Sequence, residues 1–477
     1  MNKIYALFPL LFFAFALNAQ DEDKKDYTNA LKIVEVWLDA QKDFDYLPGI
    51  SAVAVNDQEV IWEGAFGEAN IAKEVSMDPS TICSICSISK LFTSIAVMKL
   101  YEEGKLSLDA EIQDILPWFD LKQKYEGSGP ITIRSILTHS SGLPREANAS
   151  YWSAPDYEFP EAEDFEEGLA ELETLYPSST YFQYSNLGLA LLGKVIEEIS
   201  GQDYDAYVKG NILVPLGLED TRTFLPKELY GNKMAIGYGA LKRDGNRDII
   251  NFFEANAITP AAGFSSNVLD LAKFASWQFR LLNEDAGYEV LKSSTLKYMQ
   301  NVQWVDPDFD TMWGLGFSVY KGPDGSKWVG HGGSCPGYRT VVSLNPKSKM
   351  AYSVMINAGG ESPEKYVRGI HSILSKVKPN LDKNSEVSLD DYVGYFNPQP
   401  WSSELYVGKW DDKLVLLYLP SSSPGSALTF LKHIKGDEFR RVREDGELGE
   451  SILFLRDNDG KVSKMKRNNN FYSKLSK

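Results

Sequence analysis

Hydrophobic positions along the chain follow two periods, with one continuous run between them. In residues 27–41, Leu31, Ile33, Val34, Val36, Trp37 and Leu38 recur with the spacing of an amphipathic helix. Gly49-Ile-Ser-Ala-Val-Ala-Val55 and Glu59-Val-Ile-Trp-Glu63 are short β-rich runs around Asn56-Asp57, which predicts a hairpin. Residues 81–100 are nearly continuous. Apolar side chains at 88, 91, 92, 95 and 98, with few polar ones elsewhere, predict a buried central helix stopped at Gly104. Residues 131–139 and 187–200 also read as helices, ended by Ser140-Ser-Gly-Leu-Pro144 and by Gly201. A glycine-containing turn and another helix occupy 261–282, and Trp328-Val-Gly330, Thr340-Val-Val-Ser-Leu344 and Met350-Ala-Tyr-Ser-Val-Met-Ile356 read as strands. Strands at both ends with helices between predict an α+β fold whose sheet gathers distant parts of the chain.

The pattern changes after a polar linker at 379–388. Leu405-Tyr-Val407 and Leu414-Val-Leu-Leu-Tyr-Leu419 flank Trp410-Asp-Asp412, and Ile452-Leu-Phe-Leu455 runs into Asp457-Asn-Asp-Gly460. Short strands separated by turn signals predict a small all-β domain at 389–477. The main domain is expected at 26–378. Its acidic run at 158–175 (Glu158, Glu161, Glu163, Asp164, Glu166, Glu167, Glu171, Glu173) reads as a solvated helix face.

Composition narrows the setting. Lys3 followed by the apolar run from Tyr5 to Leu17 and then Asn18-Ala19-Gln20 reads as a signal peptide, residues 1–19, cut after Ala19. An exported protein, periplasmic or secreted, is therefore expected, with no integral membrane span. The charge of −17 argues against nucleic acid and anionic membranes as partners. Three cysteines are too few for a disulfide scaffold. Cys83-x-x-Cys86 lacks the partner ligands a metal site needs, so no metal and no cofactor are expected.

The chemistry starts at the continuous run. Ser87 and Lys90 lie one turn apart at the head of the predicted helix, and a desolvated lysine can take the proton of a serine hydroxyl. The same Ser-x-x-Lys spacing occurs at Ser294/Lys297, Ser375/Lys378 and Ser463/Lys466, and by itself it also describes an N-cap serine followed by a snorkelling lysine. Tyr184-Ser-Asn186 precedes an amphipathic helix, and Val329-Gly-His331-Gly-Gly333-Ser334 is the chain's one His-x-Gly. Ser-x-x-Lys, Tyr-x-Asn and His-x-Gly in this order, each in fitting context, form a much more specific signal than any one of them.

These three motifs resemble those of the serine β-lactamase family in its class C branch, which also holds D-alanyl-D-alanine carboxypeptidases, D-aminopeptidases and esterases. The resemblance extends to residues 131–144, 182–193, Pro260-Ala-Ala-Gly-Phe-Ser-Ser266 and Gly314-Leu-Gly316, and covers roughly residues 30–375. It implies an antiparallel sheet flanked by helices, with an all-helical insertion. The C-terminal part is similar to lipocalin-like β-domains appended to some members. By the same resemblance Ser87 would be acylated, Lys90 would help remove its proton, and Tyr184, its pKa lowered by Lys90, would pass a proton to the leaving group. Asn186, His331, Gly332 and Gly333 would bind substrate, and the backbone N–H groups of Ser87 and Ser334 would form an oxyanion hole. Class C β-lactamases and carboxypeptidases usually have lysine where this chain has His331, and histidine is common in the esterase- and aminopeptidase-like members, which turns the expectation away from β-lactams. A small ester, amide or D-amino-acid peptide is the expected substrate; a class C-like β-lactamase or D-alanyl-D-alanine carboxypeptidase, or a non-catalytic ligand-binding module, are the alternatives. The family places the helix start beside the third-motif strand, so a Cys86–Cys335 disulfide is expected, leaving Cys83 free; three buried thiols are the alternative. Oligomeric state is left open.

Overall fold

A computed structural model describes residues 25–283, 287–322, 324–379 and 387–476. The expected signal peptide and most of the linker lie outside the described residues. The chain forms two compact units, one from residue 45 to residue 367 and one joining residues up to Phe44 with Arg368 onward.

In the larger unit the hairpin runs β1 (Gly49–Asn56) to β2 (Glu59–Asn70), followed by the short β3 (Val75–Ser76). Beyond a long helical region come β4 (Trp304–Val305), β5 (Met312–Trp313), β6 (Ser318–Lys321), β7 (Lys327–Cys335), β8 (Tyr338–Asn345) and β9 (Met350–Ile356). They make one antiparallel sheet in the order β3-β2-β1-β9-β8-β7-β6-β5-β4. The first and last strands of the domain meet within it, with Ala52 opposite Val354 and Ala54 opposite Tyr352. Both β1 and β9 are almost wholly buried, which explains their lack of polar alternation.

The helical region lies between β3 and β4 in sequence. Its first long helix, α1 (Ser89–Glu102), is buried at every position from Ser89 to Met98 and packs Phe92 against Phe264 and Phe274. Helix α2 (Asn186–Ser200) is capped by the Ser185 side chain and stopped by Gly201 at φ 66°. Helix α3 (Val268–Leu282) follows the Pro260–Ser266 turn. The helix read at 131–139 is shorter, Ile133–Leu137, because Thr138 and His139 leave the helix and His139 turns into the left-handed region at φ 55°.

The other unit contains a closed up-and-down barrel of eight strands, from Gly394–Asn397 through to Asn470–Lys474, in which the last strand pairs with the first. Phe396, Leu405, Leu416, Phe439, Phe454 and Met465 fill its interior, so the barrel is a packed core. The helix Thr28–Phe44 belongs to this unit rather than to the sheet-bearing one, unlike the linear boundary expected at 26–378. The physical reason is specific contact. Trp37 Nε1 donates to Ser421 O at 2.9 Å, Gln41 Oε1 accepts from Ser421 N, and Gly408 lacks the Cβ that would press on Ile33.

Candidate active site

Ser87 lies in a 3₁₀ turn, Cys86–Ile88, immediately before α1. Cys86 has φ 51°, an uncommon conformation for a residue with a Cβ. Two ties hold it there. Ser89 Oγ donates to Cys86 O at 2.5 Å, and the Cys86 sulfur is bonded to that of Cys335, the last residue of β7, with Cα atoms 5.7 Å apart. Cys83 is free and buried.

Lys90 is buried at the first turn of α1, and its Nζ has three oxygen neighbours. Asn186 Oδ1 and Ala261 O each lie at 2.7 Å, and Ser87 Oγ at 3.2 Å. Burial holds the Lys90 pKa well below the usual lysine range, with the Glu146 carboxylate opposing the shift and Arg145 adding to it. A neutral amine has two N–H bonds and one lone pair. Both carbonyl oxygens can only accept, so they take the two N–H bonds. The lone pair is left for the Ser87 hydroxyl. This is the arrangement a general base requires.

Tyr184 precedes the α2 cap, and its hydroxyl is near enough to Ser87 to feel it electrostatically. Its ring lies under two basic side chains, with Lys90 Nζ and the Arg145 guanidinium carbon each 4.9 Å from the centroid. The expected lowering of its pKa does not occur. Burial raises it, outweighing the opposing pulls of Ser87 and Arg145. Tyr184 is thus a phenol in the resting site, because burial disfavours the phenolate.

His331 on β7 sits behind this group, its ring 6.1 Å from that of Tyr184 and 5.6 Å from that of Trp313. Its Nδ1 lies 2.7 Å from Gly332 O, which makes Nδ1 the protonated nitrogen and leaves buried Nε2 as a bare acceptor without a partner. Burial and then Lys90 pull the imidazole pKa down to about 3. The His331 ring resonances are therefore expected not to titrate between roughly pH 8 and pH 5; an NMR midpoint near the ordinary imidazole value would contradict the burial seen here.

The third-motif glycines also face close neighbours within the protein. A Cβ on Gly333 would lie 2.3 Å from Ile85 O, and one on Gly332 would lie 2.9 Å from Glu364 Oε1. The missing side chains let β7 close on the protein's own nucleophile turn and on Glu364. Ser87 and Ser334 line one cleft of about 410 Å³ with Arg145, Glu146, Trp152, Tyr157, Asn186, Ile250 and Arg339. Lys90, Tyr184 and His331 lie outside that lining.

Several members of the cluster were missed from the sequence. The His139 ring lies 4.4 Å from that of Tyr184, tilted against it, and its Nδ1 accepts from Ser185 N, so it holds the Tyr-x-Asn segment in place. Its position inside the 131–144 segment was a usable signal. Glu146 accepts from Asn186 Nδ2 at 2.8 and 3.0 Å and from the Tyr151 hydroxyl. Arg145-Glu146 reads in sequence as an ordinary solvated ion pair, and nothing marked it. Among the described residues no group of three or more His, Cys, Asp or Glu is placed to hold a metal ion, and no helix is long and apolar enough to cross a membrane.

A serine under a desolvated lysine, at the start of a helix beside an antiparallel sheet, defines a serine-hydrolase architecture. The family model described as Beta-lactamase matches residues 39–373, and the chain belongs to that family of serine hydrolases. Beta-lactamase-like protein 2 of Dictyostelium discoideum is 28% identical over 362 residues, covering 73% of this chain and 63% of its own length. The chain thus spans less than two thirds of that relative. Protein flp of Staphylococcus aureus (strain MW2) is 26% identical over 364 residues, 74% of this chain and 68% of its own. The solved octameric penicillin-binding protein homologue from Pyrococcus abyssi superposes with TM-score 0.61 at 25% identity, over 93% of this chain and 100% of that one. A beta-lactamase/D-alanine carboxypeptidase from Yersinia pestis shares the fold, with TM-score 0.62 at 20% identity over 74% of this chain and 100% of that one.

Proposed function

We propose that this protein is an exported acyl-enzyme hydrolase acting on a small ester, amide or D-amino-acid-containing peptide. The observation that carries the reading is the buried Lys90 Nζ, 2.7 Å from two carbonyl oxygens that can take the N–H bonds of a neutral amine and 3.2 Å from Ser87 Oγ, toward which the lone pair of that amine would be left. Ser87 Oγ attacks the substrate carbonyl carbon as its proton passes to Lys90 Nζ. The backbone N–H groups of Ser87 and Ser334 receive the developing oxyanion, each worth roughly 3 kcal/mol. On collapse the bond to the leaving group breaks, and Tyr184 hands that group a proton, which Lys90 restores to it. Water then attacks the acyl carbon, the ester bond to Ser87 Oγ breaks to release the carboxylic acid, and a proton from that water returns to Ser87 Oγ.

The neutral His331 supports a substrate that needs no fixed cation at residue 331 itself; the cations on the cleft wall are Arg145 and Arg339. Trp152, Tyr157 and Ile250 on the cleft wall support an acyl group with apolar bulk. The Cys86–Cys335 bridge supports export, because such bonds persist outside a reducing cytosol; a secreted chain beginning at Gln20 is expected.

Incubation with a fluorophosphonate probe, and separately with benzylpenicillin, followed by intact-mass measurement, tests the reading. One phosphonyl adduct that disappears in Ser87→Ala is expected. A lasting penicilloyl adduct would move the substrate toward that of a penicillin-binding enzyme. No adduct from either reagent would make the site a ligand-binding one.

A further inference from the structure

We propose that Glu146 is the positioning residue of the site, orienting the Asn186 amide and through it Lys90 for attack by Ser87. The inference rests on the acyl-enzyme reading above and names a residue that the Ser-x-x-Lys, Tyr-x-Asn and His-x-Gly motifs do not contain.

Donors and acceptors decide the orientation. An asparagine amide has two ends of nearly equal shape, and which end faces Lys90 must be settled by its surroundings. A carboxylate has only lone pairs. Both Glu146 oxygens lie within 3.0 Å of Asn186 Nδ2, so the amide nitrogen is drawn to Glu146 and Oδ1 is turned to Lys90 Nζ. In the reversed amide an N–H would confront the Lys90 N–H bonds, and the lysine would turn its lone pair to Asn186 instead of Ser87. Glu146 is itself fixed from two further sides, by the Tyr151 hydroxyl and by Arg145 Nε at 3.0 Å. Its side chain is one quarter exposed, so it meets solvent at the cleft edge while its oxygens reach inward. The backbone adds a second tie, since Asn186 N donates to Arg145 O at 2.7 Å and locks the Arg145-Glu146 segment to the start of α2.

Glu146 also acts on Lys90 through charge. The groups facing Lys90 Nζ are Glu146 and Arg145 from the segment after residue 144, His139, His331 on β7 and the Tyr184 ring. Both histidines are held neutral by burial, so Glu146 is the anion that opposes proton loss from Lys90. Removing its charge lowers the lysine pKa further, which moves the acid limb of acylation to lower pH.

The test is fluorophosphonate labelling of Ser87, with the saturating rate kinact separated from the half-saturating concentration KI across pH. Glu146→Ala is expected to lower kinact roughly 10- to 100-fold with KI nearly unchanged. Glu146→Gln, close to isosteric and still able to accept from Asn186, should lose less and show the acid limb displaced to lower pH. Glu146→Asp, which keeps the charge, should keep the limb in place and recover part of kinact. Wild-type kinact in Glu146→Ala, or a change in KI alone with an unmoved limb in Glu146→Gln, would overturn the proposal and make Glu146 a substrate contact or a bystander. Failure of the wild-type protein to label at Ser87 would instead remove the acyl-enzyme reading beneath it.

Discussion

Lys90→Met is expected to slow phosphonylation of Ser87 by roughly 100- to 10,000-fold, the range a positioned general base contributes. The side chain is fully enclosed, and methionine approaches its length without a titratable group. The substitution leaves Asn186 Oδ1 and Ala261 O without their N–H partner, at about 1–3 kcal/mol each, but it also removes an amine whose burial disfavours its charged form. A folded, inactive protein is therefore the expected product. Lys90→Arg separates base from charge. Guanidinium keeps its proton at any working pH, so it can donate to both carbonyls but cannot accept from Ser87. Arginine should be as slow as methionine if Lys90 works as a base. An arginine variant that labels near the wild-type rate would show that only the positive charge matters. The pH profile gives the sign independently. Lys90 must be neutral to act, its pKa lies below the ordinary lysine value, and activity should fall as pH drops through that lowered pKa.

The elements that position Lys90 were legible because their sequence signals are local. The continuous apolar run of 88–98 forms a helix buried all round, and Gly201 marks the end of α2. The antiparallel pairing of β1 with β9 sets Ile50 against Ile356; strand runs at both ends of the domain implied a sheet gathered from distant segments, and only the resemblance implied that it is antiparallel. Glu146 was illegible for a related reason. Its partners Tyr151 and Asn186 follow it by 5 and 40 residues, and the pairing with Asn186 exists only once α2 is docked. Trp313 is similar, since it gathers His139, Phe182, Tyr184 and His331 around one ring through the tertiary fold alone. Hydrophobic spacing in residues 27–41 reports that a helix has an apolar face, not what covers it, which is why the boundary near residue 26 could not be read locally; Trp37 finds Ser421 far along the chain.

Loss of the Cys86–Cys335 bridge should have the second-largest effect, and on two observables together. The bond joins residues 249 positions apart, and a cross-link of that span restrains the unfolded chain strongly; a cost of roughly 2–5 kcal/mol is expected when it is broken. Its ends also sit beside the chemistry. Cys86 immediately precedes Ser87, and Cys335 immediately follows Ser334. Cys86 occupies the left-handed region, which is unfavourable for a residue bearing a Cβ, so a freed residue 86 can relax and carry Ser87 away from the Ser334 N–H. Ser84 Oγ, 3.3 Å from the Cys335 sulfur, gives a reduced thiol a polar neighbour but no covalent restraint. Urea unfolding and fluorophosphonate labelling of the Cys86→Ala/Cys335→Ala protein should therefore both shift, the midpoint downward and the labelling rate downward. A lowered midpoint with unchanged labelling would confine the bridge to stability, with Ser89 Oγ alone sufficient to hold the turn. A labelling loss with an unchanged midpoint would place its role in the alignment of Ser87 with Ser334.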